Sequence, residues 1–177
     1  DYLNSKYDSA CVAIGYDSRI NSDIFSKECA EVLAANGIKA YIYPNLIPTP
    51  LVSYAVMRLK CQSGIVITAS HNPSKYNGYK CYDPAGYQMT EEAALETYSF
   101  IQKVDMFSDI KRMNFDEGIE KGLIEYIPDS IVEEFYSKVM QRPINPEVIA
   151  ESDLKIIYTP LNGTGNIPVR TVLSRAG

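Results

Sequence analysis

Gly64-Ile65-Val66-Ile67-Thr68-Ala69-Ser70-His71-Asn72-Pro73 joins a run with the character of a buried strand to a loop rich in hydrogen-bonding side chains. A run so apolar and β-branched suits a strand covered on both faces, as in the interior of a parallel sheet. In open α/β sheets, ligands collect beyond the carboxyl ends of the strands, and the polar loop occupies such an end. Pro73 holds Asn72 to extended or turn geometry and keeps the loop from winding into a helix.

Reading outward, the same alternation of strand, loop and helix recurs. Tyr76-Asn77-Gly78 is a turn signal, and residues 78–82 read as a returning strand. Upstream, Thr49 reads as a helix N-cap and Pro50 as the first helical residue of a helix reaching about Lys60. Residues 38–43 and 10–15 are further apolar strands. Between them Ser22 can cap a helix running to Asn36, which places Phe25, Cys29, Val32 and Leu33 on one face, and Gly37 supplies its left-handed stop. Thr90-Glu91-Glu92 opens another helix, with Ala94, Tyr98 and Ile101 as its inner face. The stretch 105–126 is mixed and receives no assignment.

Ser130 and Glu133 have the spacing of a capping box, which predicts a helix to about Met140. Pro143 and Pro146 mark a connector. Leu154-Lys155-Ile156-Ile157-Tyr158 restarts a strand, followed by Asn162-Gly163-Thr164-Gly165 and a last helical segment. This grammar predicts an α/β fold: a mixed, largely parallel sheet flanked by helices, then the first βα unit of a second, similar domain. Residues 1–128 form the serine-loop domain in this reading, and 129–177 begin the next. Neither end carries the signals of a natural terminus, so the chain reads as a fragment.

With 177 residues and 46% hydrophobic content, the chain can bury a sizeable core. A net charge of -5 argues against a nucleic-acid groove or an anionic membrane surface as partner. Phosphate binding stays open, since it needs only a few cations and oriented N–H groups. Cys11, Cys29, Cys61 and Cys81 show no C-x-x-C spacing, and His71 is the single histidine, so no zinc ligand set exists in the sequence. The cysteines read as reduced core thiols. No apolar run is long enough to span a bilayer and no signal peptide opens the sequence, so the expected location is cytoplasmic.

The loop brings Thr68, Ser70, His71 and Asn72 together at a strand end. A shaped loop with successive free N–H groups holds an anion, and Ser70 can act as its covalent acceptor. The returning strand carries Lys80 back beside the loop, where a lysine neutralises phosphate or moves a proton. Arg19, in the loop after the first strand, can approach the same edge.

These residues carry a resemblance. Thr68-Ala69-Ser70-His71-Asn72-Pro73 followed by Tyr76-Asn77-Gly78-Tyr79-Lys80 resembles the active-site serine loop of the α-D-phosphohexomutases, the phosphoglucomutase/phosphomannomutase family. Gly15-Tyr16-Asp17-Ser18-Arg19 resembles the family's Gly-x-Asp-x-Arg loop, and Tyr158-Thr159-Pro160-Leu161-Asn162-Gly163-Thr164-Gly165 the opening of its second domain. The resemblance implies that Ser70 carries a phosphoryl group, passed to a hexose monophosphate and recovered from the hexose bisphosphate. It implies a Mg2+ ion that meets Ser70 through its phosphate, and Lys80 in proton transfer to and from the sugar hydroxyl. Arg19, Thr68, His71 and Asn72 would shape the phosphate pocket. The family's Asp-Gly-Asp-x-Asp metal loop, its sugar loop and its last phosphate-binding domain have no counterpart in the sequence. The aspartate ligands of the metal are therefore absent, and the chain alone is expected to lack mutase turnover.

Two other readings compete. A serine hydrolase would use Ser70 and His71, yet neighbours in an extended loop tend to point apart, and G-x-S-x-G is missing. A non-catalytic sugar-phosphate-binding module would use Gly163-Thr164-Gly165, but there is neither a Walker sequence nor a full G-x-G-x-x-G.

Overall fold

The computed structural model describes the chain from Asp1 to Gly177, the side chain of Ala150 excepted. Helix α1 (Tyr2–Lys6) leads into β1 (Cys11–Tyr16), α2 (Ser22–Ala35), β2 (Lys39–Ile42), α3 (Thr49–Arg58), β3 (Ser63–Ile67) and β4 (Tyr79–Tyr82). Helices α4 (Glu91–Ile101) and α5 (Phe115–Glu120), strand β5 (Ile124–Tyr126), and helices α6 (Asp129–Met140), α7 (Pro146–Ala150) and α8 (Asn166–Ala176) follow. The sheet order is β4-β3-β1-β2-β5. The pairs β1–β2, β1–β3 and β2–β5 are parallel, and only β3–β4 is antiparallel. This is the mixed, largely parallel sheet that the sequence predicts.

Two apolar layers hold the sheet between helices. On one face Ala13 and Val66 pack with Leu51, Val52, Ala55 and Val56 of α3. On the other, Val12, Ile14, Ile65 and Ile67 pack with Ala30 and Ala34 of α2. Contact with α3 is close because two strands present glycine there. A Cβ at Gly15 would stand 2.4 Å from Val52 and 2.7 Å from Ile47, and one at Gly64 would stand 2.6 Å from Val56. Close approach of helix and sheet thus depends on side chains that are absent.

Several expectations change. The buried face of α2 is Ser22, Ser26, Ala30 and Ala34, whereas Phe25 is exposed. Small residues bring the helix axis near the sheet, and the larger ones flank the contact. Asn21, not Ser22, holds the N-cap position of α2, without a side-chain cap bond, and Gly37 does turn left-handed at φ 73°, with Ile38 N–H returning to the Leu33 carbonyl. Pro48, not Thr49, is the N-cap of α3, so Pro50 falls one position later in the first turn. Helix α6 starts at Asp129 with Pro128 as N-cap and no capping side chain, so Ser130 lies inside the helix and forms no box. Thr90 caps α4 as expected, accepting from Ala93 N–H. Yet no residue of α4 is fully buried: Ala94, Tyr98 and Ile101 are exposed and line a cleft with Val12, Leu33 and Ile65.

Residues 154–158 form no strand and are exposed; no strand among the described residues offers them a backbone ladder. A strand without a neighbour has no hydrogen bonds to define it. The βα unit expected there is therefore represented by its helix α8 alone. Helix α6 packs on the core through Ile131, Val132 and Phe135, with Phe135 edge-on to Tyr54 at 5.4 Å and Arg58 Nε paired to Glu134 at 2.9 Å. No helix among the described residues is long and apolar enough to cross a membrane.

Candidate active site

The parallel strands β1 and β3 end side by side, with Tyr16 opposite Ile67. Their following loops, Asp17-Ser18-Arg19 and the serine loop, therefore emerge together at one sheet edge. Asp17 N–H still donates to the Ile67 carbonyl at 3.1 Å, and Thr68 N–H donates to the Gly78 carbonyl at 3.0 Å. The second bond ties the exit of β3 to the entry of β4. Gly78 is needed there, since a Cβ would lie 2.5 Å from the Thr68 carbonyl oxygen.

Arg19 holds the serine loop by its main chain. Its Nη2 donates to the carbonyls of Ser70 (2.6 Å) and Asn72 (2.7 Å), and its Nη1 to those of Pro73 (3.1 Å) and Tyr76 (3.0 Å). The planar guanidinium suits this, presenting several donors in a fixed fork. Nε lies 3.2 Å from Asp17 Oδ2, an ion pair without the alignment of a hydrogen bond. Both side chains of that pair are largely buried.

A second set of bonds runs beneath the loop. Thr68 Oγ1 donates to Asp17 Oδ2 at 2.6 Å and accepts from Ser70 N–H at 3.0 Å. Asp17 Oδ1 accepts from Ser22 Oγ and from Arg19 N–H, both at 2.9 Å. Asn77 Nδ2 donates to Ser22 Oγ at 2.9 Å, while its Oδ1 accepts from Gly78 N–H. Thus Asp17, Ser22 and Asn77 support the site, although the sequence reading assigned them no part in it. Their signal was available: Asp17 lies in the Asp-x-Arg loop and Asn77 in the turn before the returning strand.

Ser70 sits at the apex in the left-handed region, φ 56°, with its side chain exposed. A non-glycine residue there is uncommon and points to a constrained position. This turn has two consequences for the expectations above. Ser70 and His71 do not point apart: Ser70 Oγ lies 3.4 Å from His71 Nδ1. The loop also lacks the succession of free N–H groups anticipated for an anion cradle, because Ser70 N–H goes to Thr68 and Asn72 N–H to the Ala69 carbonyl.

Arg19, Thr68, Ser70, His71 and Asn72 share one cleft of about 950 Å³, closed on its far side by residues 160–164. Ser18 Oγ donates to the Asn162 carbonyl across it. Lys80 is not among the cleft's lining residues. It stands on β4 opposite Val66, half-buried, with no hydrogen-bond or ion-pair partner among the described residues. The structure therefore brings five of the six candidate residues together and leaves the lysine one strand away.

No group of three or more His, Cys, Asp or Glu among the described residues is arranged to hold a metal ion. Asp17, the carboxylate in the cleft, already accepts from Thr68, Ser22 and Arg19. The residues present do not by themselves make a magnesium cage.

The model of the family described as phosphoglucomutase/phosphomannomutase, alpha/beta/alpha domain I, matches residues 1–107. The chain belongs to this family. A phosphoglucomutase of Staphylococcus saprophyticus is 39% identical over 173 residues, 98% of this chain and 31% of that protein. A Haemophilus influenzae protein named "Probable phosphomannomutase" is 31% identical over 180 residues, 100% of this chain and 35% of that protein. The phosphoglucomutase-type structure of pp63/parafusin from Paramecium, in its open form, superposes with TM-score 0.74 at 16% identity, over 99% of this chain and 36% of that one. The last match speaks for the fold alone. This phosphohexomutase-family chain thus spans about a third of the length of its relatives.

Proposed function

We propose that the chain carries the phosphoryl-relay loop of a phosphohexomutase that interconverts hexose 1-phosphate and hexose 6-phosphate. In this reading phosphorylated Ser70 gives its phosphoryl group to one hydroxyl of the hexose monophosphate. The Ser70 Oγ–P bond breaks, a sugar O–P bond forms, and the hydroxyl proton leaves to a base. The hexose bisphosphate turns over and returns its other phosphoryl group to Ser70. The observation that carries the proposal is the exposed Ser70 hydroxyl at the apex of a loop whose carbonyls are clamped by Arg19.

Phosphoryl transfer asks mainly for positioning and charge neutralisation. The clamp and the Thr68 bond supply the first. His71, with its ring nitrogen 3.4 Å from the acceptor oxygen, is placed to exchange a proton with it. Neutralisation is incomplete within this chain: a phosphoserine carries about 1.5 to 2 negative charges, and Arg19 spends its Nη donors on carbonyls. Mg2+, held by carboxylates outside this chain, would complete it. The role of Lys80 in proton transfer rests on the family resemblance rather than on a contact. On the same ground the 177 residues alone are assigned no mutase turnover.

The test is a chimera in which this chain replaces the corresponding third of the Staphylococcus saprophyticus phosphoglucomutase. After incubation with glucose 1,6-bisphosphate and magnesium, peptide mapping is expected to find one phosphoryl group, on Ser70, and none in Ser70→Ala. A chimera phosphorylated elsewhere, or nowhere while folded, overturns the proposal. The Ser70–His71 contact also invites a hydrolase reading, but no carboxylate among the described residues orients His71, as a triad requires. Labelling of Ser70 by a fluorophosphonate would favour that rival.

A further inference from the structure

Ser70 holds a left-handed backbone conformation without being glycine or asparagine, and something must select it. We infer that Asp17 is a positioning residue for the Ser70 nucleophile, acting through the Thr68 hydroxyl. The inference rests on the phosphoserine reading and adds to it the means by which the nucleophile is held.

A carboxylate only accepts, and a threonine hydroxyl has one proton to give. Because Thr68 donates that proton to Asp17 Oδ2 at 2.6 Å, its lone pairs face the loop, where they take Ser70 N–H at 3.0 Å. Asp17 thereby sets the polarity of the hydroxyl, and the hydroxyl sets the turn at Ser70. The arrangement withdraws the Ser70 N–H from the cleft, so the phosphoryl group on this serine must be held by other donors. Thr68 and Asp17 are both largely buried, which spares the pair competition from water.

The other oxygen of Asp17 fixes which way an asparagine would turn. Oδ1 accepts from Arg19 N–H and Ser22 Oγ. An Asp17→Asn side chain would keep its oxygen on those donors and turn its amide toward Thr68, replacing an acceptor with a donor. The Thr68 proton would then compete for the space that Ser70 N–H occupies. Asp17→Asn and Thr68→Val should therefore both lose the bond to Ser70 N–H, Asp17→Asn losing its ion pair with Arg19 as well, and Thr68→Ser should keep the bond.

The experiment measures Ser70 amide hydrogen exchange in the 177-residue chain by NMR, together with the rate of Ser70 phosphorylation in the chimera. Loss of one hydrogen bond is expected to speed exchange at Ser70 by roughly tenfold in Thr68→Val and in Asp17→Asn. The double variant should lose no more than Asp17→Asn alone, and Thr68→Ser should keep the wild-type rate. Phosphorylation should slow in the same order. Unchanged Ser70 protection in either single variant overturns the relay. Lost protection with wild-type phosphorylation overturns its role in positioning the nucleophile. If wild type shows the amide pattern but no phosphoserine, the mutase reading fails and takes the catalytic part of this inference with it.

Discussion

The guanidinium of Arg19 reaches across from the loop after β1 and takes the Ser70 carbonyl at 2.6 Å, fixing the serine from its main chain. Hydrogen bonds to a charged donor contribute about 1.5–3 kcal/mol each. Arg19→Lys removes the planar fork and leaves a single ammonium for four carbonyls. The expected outcome is a stability loss of about 1.5–3 kcal/mol or more in urea denaturation, since an ammonium's three donors leave at least one charged bond unmade. Arg19→Lys should also phosphorylate Ser70 far more slowly in the chimera. A stability unchanged within experimental error would refute the clamp.

Gly15 and Gly37 predict opposite mechanisms for the same substitution. Gly15→Ala drives a Cβ into Val52 and Ile47, so overpacking should cost about 1–3 kcal/mol. Gly37→Ala meets open space but must hold φ 73°, which costs about 1–2 kcal/mol in backbone strain. Trimming Val52 to alanine should offset part of the first loss and none of the second. A double-mutant cycle decides, and equal coupling at both sites would count against this account.

Two of the four free thiols should separate by pH. The Cys61 thiol beside Cys11, the Gln62 backbone N–H and the Lys39 ammonium favour its thiolate, bringing Cys11 down to about 7 against its own partial burial. Burial first, then the neighbouring Cys81 and Glu28, pushes Cys29 up to about 11. Because the thiolate is the nucleophile, alkylation should rise with pH through about 7 at Cys11 and stay slow at Cys29 throughout the neutral range. Peptide mapping after brief iodoacetamide pulses checks this, and preferential labelling of Cys29 at neutral pH would contradict it.

Asn77 links the turn before β4 to the helix that follows β1. Asn77→Ala removes its bonds to Ser22 Oγ and Gly78 N–H, and each neutral bond is worth about 0.5–1.5 kcal/mol. The expected result is a modest fall in midpoint denaturant with an unchanged slope. Faster proteolytic nicking should appear between Pro73 and Gly78. Cleavage at an unchanged rate would separate Asn77 from the loop.

What the sequence made legible was whatever large apolar side chains announce. β1 and β3 stood out because Val12, Ile14, Ile65 and Ile67 are buried and bulky. The inner face of α2 was misread for the converse reason: its contacts are made by Ser22, Ser26, Ala30 and Ala34, which carry almost no hydrophobic signal. β5 escaped because its three residues bury only Ile124, too little pattern for a strand. At the site, the serine loop was plain from its residue types. The support under it depended on β1 and β3 ending in register, which no local motif states. Residues 154–158 had a strand's composition, yet a strand exists only with a partner.

The harness on the serine loop grips carbonyl oxygens alone, at Ser70, Asn72, Pro73 and Tyr76. Every amino acid supplies the same carbonyl, so the shape of the segment is insulated from the chemistry displayed at its crest. Ser74 and Lys75, whose carbonyls Arg19 does not use, can change side chain without redrawing the backbone that presents them. A protein engineer inherits the same freedom.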